Sequence, residues 1–290
     1  MRPRKIYQEV LMTLREAIEL FKDHQKNSAK ERTRESYSHL FRNLEALFGD
    51  AALGDISSQD LYQFLLLLTE GRARTTARLR YAQLKAFFNF IIERTHTPMT
   101  NPCNDPLLSK TFRAPRMKQR EILGREVIDE IIYRCRKARD RLILELQARC
   151  GMRIGEVLGL RASDVNGRRL TIRRPKSGRD EESAFMPETV AGRLKTYLDA
   201  QNILPDDRLF PIGYSIARAL VKRLGDKMSM KIRPHDLRRH SATYASRNGI
   251  PLEVISKIIL RHQDLKTTQM YLGKVSEAEA LRWMDVLHGK

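Results

Sequence analysis

Apolar residues recur at helical spacing through the first hundred positions of the 290-residue chain. From Ile6 to about Lys26 they fall at Val10, Leu11, Leu14, Ile18, Leu20 and Phe21, one stripe of an amphipathic helix. Ser28 followed by Glu31 has the spacing of a capping box, and the helix it would open carries Tyr37, Leu40, Phe41, Leu44 and Leu47. Ser57 or Ser58 can cap a third helix through the run at 64–68. Thr75 or Thr76 can open a fourth, through Leu79, Leu84, Phe87, Phe88 and Ile91. Four or five such helices bury their stripes against one another as a small bundle.

Periodicity stops after that. Residues 98–120 hold four prolines and little pattern, which predicts a linker. Its later part carries Lys110, Arg113, Arg116, Lys118 and Arg120 with no acid among them. A solvated connector and a strap lying along phosphates both fit. The expected layout is a helical domain over 1–100, a basic linker over 101–120 and a second domain over 121–290. The second domain also reads as mainly helical, with helices at Thr189–Leu198, Ser215–Leu224, His235–Asn248, Leu252–Ile259 and Ser276–Leu287. Its exception is 168–186, where Leu170 and Ile172 alternate with polar neighbours, "PKSGRDE" has turn chemistry, and Ala184 and Met186 alternate on the return. That predicts a small antiparallel hairpin with Lys176 near its tip. The fold class is therefore mainly α, with one small β element.

Charge narrows the function. Lysine and arginine number 54 against 35 acids, a net charge of +19 at pH 7. So large an excess favours a polyanionic partner, nucleic acid before an acidic membrane surface. The basic start has no apolar stretch of the secretory kind after it, and no apolar run approaches a membrane span, so no membrane partner is expected. The cysteines, Cys103, Cys135 and Cys150, show neither metal spacing nor an even disulfide framework, which fits a reduced, cytoplasmic setting.

Four stretches concentrate hydrogen-bond donors. In "RPHDLRRH" (233–240), His235 and Arg238 lie one helical turn apart and can face the same way, next to a helix start that favours an anion. In "RCGMRIGEVLGLR" (149–161), Gly151 permits a tight turn before Arg153, and Glu156 falls on the same face and can orient its guanidinium. Lys176 sits at the hairpin tip. In "LRHQDLKTTQMYL" (260–272), His262 and Tyr271 flank a polar segment. Taken singly, each has an ordinary reading as a surface ion pair, a solvated lysine or a packed tyrosine.

Taken together, Arg153, Lys176, His235, Arg238, His262 and Tyr271 occur in an order that closely resembles the tyrosine recombinases, the phage integrase family. "CGMRIGEVLGL" resembles that family's first arginine motif, "HDLRRHSATY" its HxxR box, and "LRHQDLKTTQMYL" its last histidine box with the nucleophile. The helices before "NP" resemble its core-binding, SAM-like domain. The resemblance spans roughly residues 6–288, in the simple two-domain form of the Xer type. One departure stands out: Arg261 occupies the position before the histidine where the family usually has glycine. Arg261 either extends the preceding helix or adds a phosphate contact.

The resemblance implies a site-specific recombinase that cuts and rejoins double-stranded DNA through a 3′-phosphotyrosyl intermediate. In that reading Tyr271 is the nucleophile, Arg153 and Arg238 clamp the scissile phosphate, and His262 adds a donor. His235 accepts the tyrosine proton, Lys176 is the general acid, and Glu156 supports Arg153. No metal and no cofactor are expected. A homo-tetramer on paired DNA sites, alone or with a related recombinase, is implied. The C-terminal amphipathic segment fits both packing on its own domain and docking on a neighbouring protomer. A type IB-like topoisomerase and a non-catalytic DNA-binding protein are the competing readings.

Overall fold

A computed structural model of the chain describes residues 12–114, 122–173, 175, 180–269, 272 and 277–288. The chain divides into two compact units, Met1–Met117 and Lys118–Lys290.

Four long helices build the first unit: α1 (Leu14–Ser28), α2 (Glu31–Phe48), α3 (Ser58–Thr69) and α4 (Arg74–Thr95). Their stripes meet in an aromatic core, where the Phe21, Phe41 and Phe87 rings contact one another edge-on at 5.3–5.7 Å. The caps correct three expectations. Helix α1 starts at Leu14 rather than Ile6, because Thr13 and Glu16 form the capping box that ends the preceding extended backbone. Val10 and Leu11 lie outside the described residues. Ser28 does not cap α2. Its hydroxyl donates back to the His24 carbonyl inside α1, and Lys30 precedes α2 without a side-chain cap. Ser57 does cap α3, reciprocally with Asp60. Helix α4 opens after Ala73, before either expected threonine.

The stretch expected as linker is folded as far as Phe112. Asn101 bonds the Asn89 side chain of α4 at 2.6 Å, which explains the polar break in that apolar run. The Tyr81 hydroxyl donates to the Cys103 carbonyl at 2.9 Å. Asp105 then caps α5 (Pro106–Thr111), and Cys103, Leu108 and Phe112 are buried in the first unit's core. Proline at a first helical position costs nothing and fixes φ, so these prolines start short helices rather than loosen the chain. Lys110 and Arg113 are exposed at this end; Arg116, Lys118 and Arg120 lie outside the described residues.

The second unit is organised around α7 (Ala138–Ala148). Leu142, Ile143, Leu144, Leu146 and Ala148 are all buried, so the helix is apolar on nearly every side. It contacts α6 (Arg125–Tyr133), α8 (Ile154–Gly159), α9 (Glu188–Gln201), α10 (Tyr214–Asp226) and α11 (Pro234–Arg247). Its one fully buried acid, Glu145, receives a two-pronged bond from Arg193 at 2.7 and 3.0 Å. After α8 comes the hairpin, β2 (Arg169–Arg173) against β3 (Glu181–Phe185), with Leu170 paired to Ala184 as the alternation predicts. A short β1 (Val165–Asn166) adds a third antiparallel strand that the pattern did not reveal. Leu170, Ile172, Ala184 and Met186 face the core.

The segment expected as one helix over Leu252–Ile259 is instead α12 (Leu252–Val254) running into a π turn, Ile255–Ile259. Helices α13 (Leu265–Gln269) and α14 (Glu277–His288) follow. Trp283 of α14 lies over Gly249 of its own unit, where a Cβ would approach the indole to 2.9 Å. Leu281, Met284 and Val286 on α14 stay exposed. Among the described residues no helix is long and apolar enough to cross a membrane.

Phe112 tests the extended boundary of the first unit. Its ring stacks on Tyr81 at 5.9 Å and is 4% exposed. Phe112→Ala in the full chain should lower the unfolding free energy by about 3 kcal/mol, read by denaturant titration. A change within about 0.5 kcal/mol, as expected for a surface linker, would contradict this packing.

Candidate active site

Three separate stretches of the second unit converge on one carboxylate. Gly151 begins the site with φ +62°. A Cβ there would lie 2.8 Å from the Ile259 carbonyl oxygen, so both the turn and the close approach require glycine. The turn sets Arg153 just before α8. Glu156, one turn into α8, accepts the Arg153 backbone N–H at 2.8 Å with one oxygen and its Nη1 at 2.5 Å with the other. Glu156 thus holds Arg153 by two bonds, one of them a helix cap.

Arg238 comes from the second turn of α11 and is 1% exposed. Its Nη1 donates to the Gly151 carbonyl and its Nη2 to the Leu260 carbonyl. Nη1 also lies 3.8 Å from Glu156 Oε2. This guanidinium ties the turn before Arg153 to the turn before His262. His235, one helical turn earlier, is exposed.

The π turn sets the third stretch. Leu260 N–H reaches back to the Ile255 carbonyl, and His262 N–H to the Ser256 carbonyl. The wider turn lets the Leu260 carbonyl leave the helix path and receive Arg238. Between them Arg261 takes φ +51°, a left-handed conformation that costs a side-chain-bearing residue about 1 kcal/mol or more. This is the physical reason glycine suits the position. Neither expectation for Arg261 holds. Its backbone breaks the helix instead of extending it, and its guanidinium points inward. Nη2 donates to Glu156 Oε2 at 2.7 Å, Nη1 to the Ile259 carbonyl at 2.9 Å, and Nε lies 3.6 Å from Glu182 on β3.

His262 is buried against this cluster. Its Nε2 sits 3.3 Å from Arg238 Nη2 and its Nδ1 2.9 Å from Thr268 Oγ1. A guanidinium only donates, so Nε2 is the acceptor and the proton rests on Nδ1, donated to Thr268. Burial first, then the charges of Arg238, Arg153 and Arg261 and the nearby His235, pushes the imidazole down from 6.5 to about 4. Glu156 feels the opposite balance. Burial works to raise it, but Arg261, Arg153 and Arg238 outweigh burial and hold the carboxyl below its ordinary range.

The structure thus brings Arg153, Glu156, Arg238 and His262 together, with His235 near enough to act on the His262 charge. Lys176 and Tyr271 lie outside the described residues. Sequence reasoning missed Glu182 and Thr268, which carry no motif signal, and the inward role of Arg261, whose signal was its exchange for glycine. Burial pushes the Cys103 and Cys150 thiols up to about 12 and Cys135 up to about 11, which keeps them protonated and unreactive. Among the described residues no group of histidine, cysteine and carboxylate side chains could hold a metal ion.

The family model for the phage integrase family matches residues 118–278, and that for the phage integrase N-terminal SAM-like domain matches residues 13–66. Tyrosine recombinase XerA of Saccharolobus solfataricus is 28% identical over 222 residues, 74% of this chain and 74% of that protein. Tyrosine recombinase XerD of Proteus mirabilis is 29% identical over 253 residues, 80% of this chain and 77% of that protein. Among solved structures, the Tn1549 transposon integrase in complex with transposon right-end DNA superposes with a TM-score of 0.74 at 17% identity, covering 96% of this chain and all of that one.

The His262 environment has a pH consequence. The folded imidazole binds its proton near 4, whereas in the unfolded chain it binds near 6.5. The stability this residue contributes is therefore fully present above 6.5 and is lost as pH falls toward 4. Denaturant titrations across that window should show a steeper acid loss for wild type than for His262→Gln. Equal slopes would contradict the buried neutral ring.

Proposed function

The chain belongs to the phage integrase family, and on that premise we propose how its clustered side chains cut and rejoin DNA. The protein is a site-specific DNA recombinase of the tyrosine type. What supports the residue assignment is a single convergence: Arg153 and Arg238 meet at Glu156 and His262 adjoins Arg238, although they lie far apart in the chain.

A phosphodiester under attack gathers negative charge on its non-bridging oxygens. Guanidinium groups fixed before the reaction stabilise that charge without reorganising. Arg153, with 28% of its side chain exposed, meets the phosphate from the open side, and Arg238 supports it from beneath. A phosphate beside His262 adds a negative charge, which raises the proton affinity of a ring otherwise kept neutral. Once protonated, that ring donates. Tyr271 attacks phosphorus, its proton passing to His235, and the bond to the 5′-oxygen breaks as Lys176 protonates the leaving alkoxide. The products are a 3′-phosphotyrosyl link and a free 5′-hydroxyl. Attack by a 5′-hydroxyl from a partner strand reverses the step and completes the exchange. The bond energy stays in the covalent link, so no external energy source enters.

The same reading places the protein in the cytoplasm as a homo-tetramer on paired sites. The exposed Lys110 and Arg113, with Arg116, Lys118 and Arg120 beyond them, would lie along backbone phosphates.

Covalent capture tests the assignment. Protein mixed with fragmented genomic DNA of its source should remain attached to 3′-phosphate ends after denaturation, and Tyr271→Phe should abolish the adduct. Arg153→Ala should cut adduct formation by at least about 100-fold with much of the DNA binding retained. Undiminished adduct from either variant would refute its role. Catalytic relaxation of supercoiled plasmid without a specific site would favour the topoisomerase reading. Lys176→Ala should slow capture on an ordinary strand and recover on a strand whose 5′ leaving group is sulfur, which needs no proton.

A further inference from the structure

Arg261 stands where it is least comfortable and is least exposed. Its backbone holds φ +51°, a conformation glycine would adopt freely. Its side chain is 3% exposed, and an unpaired guanidinium at such depth is strongly disfavoured. Two carboxylates compensate for that depth. Glu156, with 8% of its side chain exposed, takes a direct bond at 2.7 Å. Glu182, 4% exposed, faces Nε at 3.6 Å. Arg261 Nε and Glu182 Oε2 are both buried without a hydrogen bond among the described residues and face each other as opposite charges.

These two acids belong to different parts of the site. Glu156 holds Arg153 by both its backbone and its side chain. Glu182 lies on β3, paired with Ile172 of β2, and the chain joining these strands contains Lys176. Strand β3 also packs on the π turn that leads to Arg261. One guanidinium thus touches the support of the arginine pair and the turn-side end of the β2–β3 pairing. Charge agrees with geometry. Arg153, Arg238 and Arg261 carry three positive charges against the two negative charges of Glu156 and Glu182. The cluster keeps one net positive charge, the complement of a single phosphodiester. With glycine in place of Arg261 the two carboxylates would cancel the arginine pair.

We propose that Arg261 is a positioning residue of the strand-cleavage site, its buried guanidinium bridging Glu156 and Glu182 so that Arg153 and the β2–β3 strand pair are held in one arrangement. It does not touch the phosphate; it acts through the two acids. The proposal rests on the reading of Arg153 and Arg238 as the phosphate clamp.

The test uses the full-length protein and pooled fragments of the source's genomic DNA. Arg261→Gly relieves the backbone, which offsets part of the lost ion pairing, so the variant should still fold and bind random duplex DNA nearly as well as wild type. Its rate of covalent adduct formation should fall on the order of 10- to 100-fold, the scale of a misplaced catalytic group. Arg261→Lys, which keeps the charge but not the fork, should fall less. Adding Glu182→Gln to Arg261→Gly restores the net charge and should recover part of the lost rate, which a purely structural role would not predict. A second readout needs no DNA: the NMR titration midpoint of His262 should rise in Arg261→Gly as one of its nearby positive charges disappears. Adduct formation at the wild-type rate in Arg261→Gly, with Arg153→Ala inactive, would overturn this proposal alone. A double variant no faster than Arg261→Gly, or an unmoved His262 midpoint, would also overturn it. If Arg153→Ala matches wild type, or wild type forms no adduct, the clamp reading itself fails and the proposal falls with it.

Discussion

Glu156 is the constraint on which the catalytic unit turns. A nearly buried carboxylate is tolerable only when positive charge surrounds it, and buried guanidiniums are tolerable only beside a negative one. Here three arginines from three stretches of chain meet one acid. Arg153 reaches it from the same helix start, Arg238 from α11 and Arg261 from the end of the π turn. Removing Glu156 leaves three guanidiniums, two of them buried, without the carboxylate they share. The cluster is therefore assembled together, and its geometry exists before any DNA arrives.

The backbone around it is shaped to permit that meeting. Gly151 takes a left-handed turn under the Ile259 carbonyl, and its own carbonyl receives Arg238. The π turn swings the Leu260 carbonyl to the other side of the same guanidinium. A regular α-helix through 255–259 would point that carbonyl along its own axis. Helix α7, apolar on nearly every side, supplies the fixed frame against which α8 and α11 are set. Packing thus fixes the helices, main-chain carbonyls fix Arg238, and Arg238 helps to fix the electrostatics of His262.

Much of this was legible in the chain. The amphipathic stripes of the first unit, the Ser57 cap, the Leu170–Ala184 face of the hairpin and the Arg153–Glu156 pair all follow from local periodicity and side-chain chemistry. Apart from Ser28, whose competitor lies one helical turn back, the misses share a cause, which is competition from partners distant in sequence. Ser28 has capping chemistry, but its hydroxyl finds the His24 carbonyl first. Residues 101–112 have no periodicity because their short helices bury single side chains into grooves made elsewhere. The π turn and the inward path of Arg261 depend on Glu156 and Glu182, 105 residues away in one case, and no local pattern announces them. The exchange of glycine for arginine marked the position without revealing the direction of its side chain.

The most direct test of this account is the effect of Glu156→Gln on adduct formation and DNA binding, measured side by side. Glutamine keeps the shape and can still accept the Arg153 backbone N–H, but it removes the charge that gathers three guanidiniums. The account predicts adduct formation slowed by about 100-fold or more, with DNA affinity unchanged or tighter because a negative charge is gone. Wild-type adduct formation by Glu156→Gln would contradict the central claim that this carboxylate holds the phosphate-binding arginines in place.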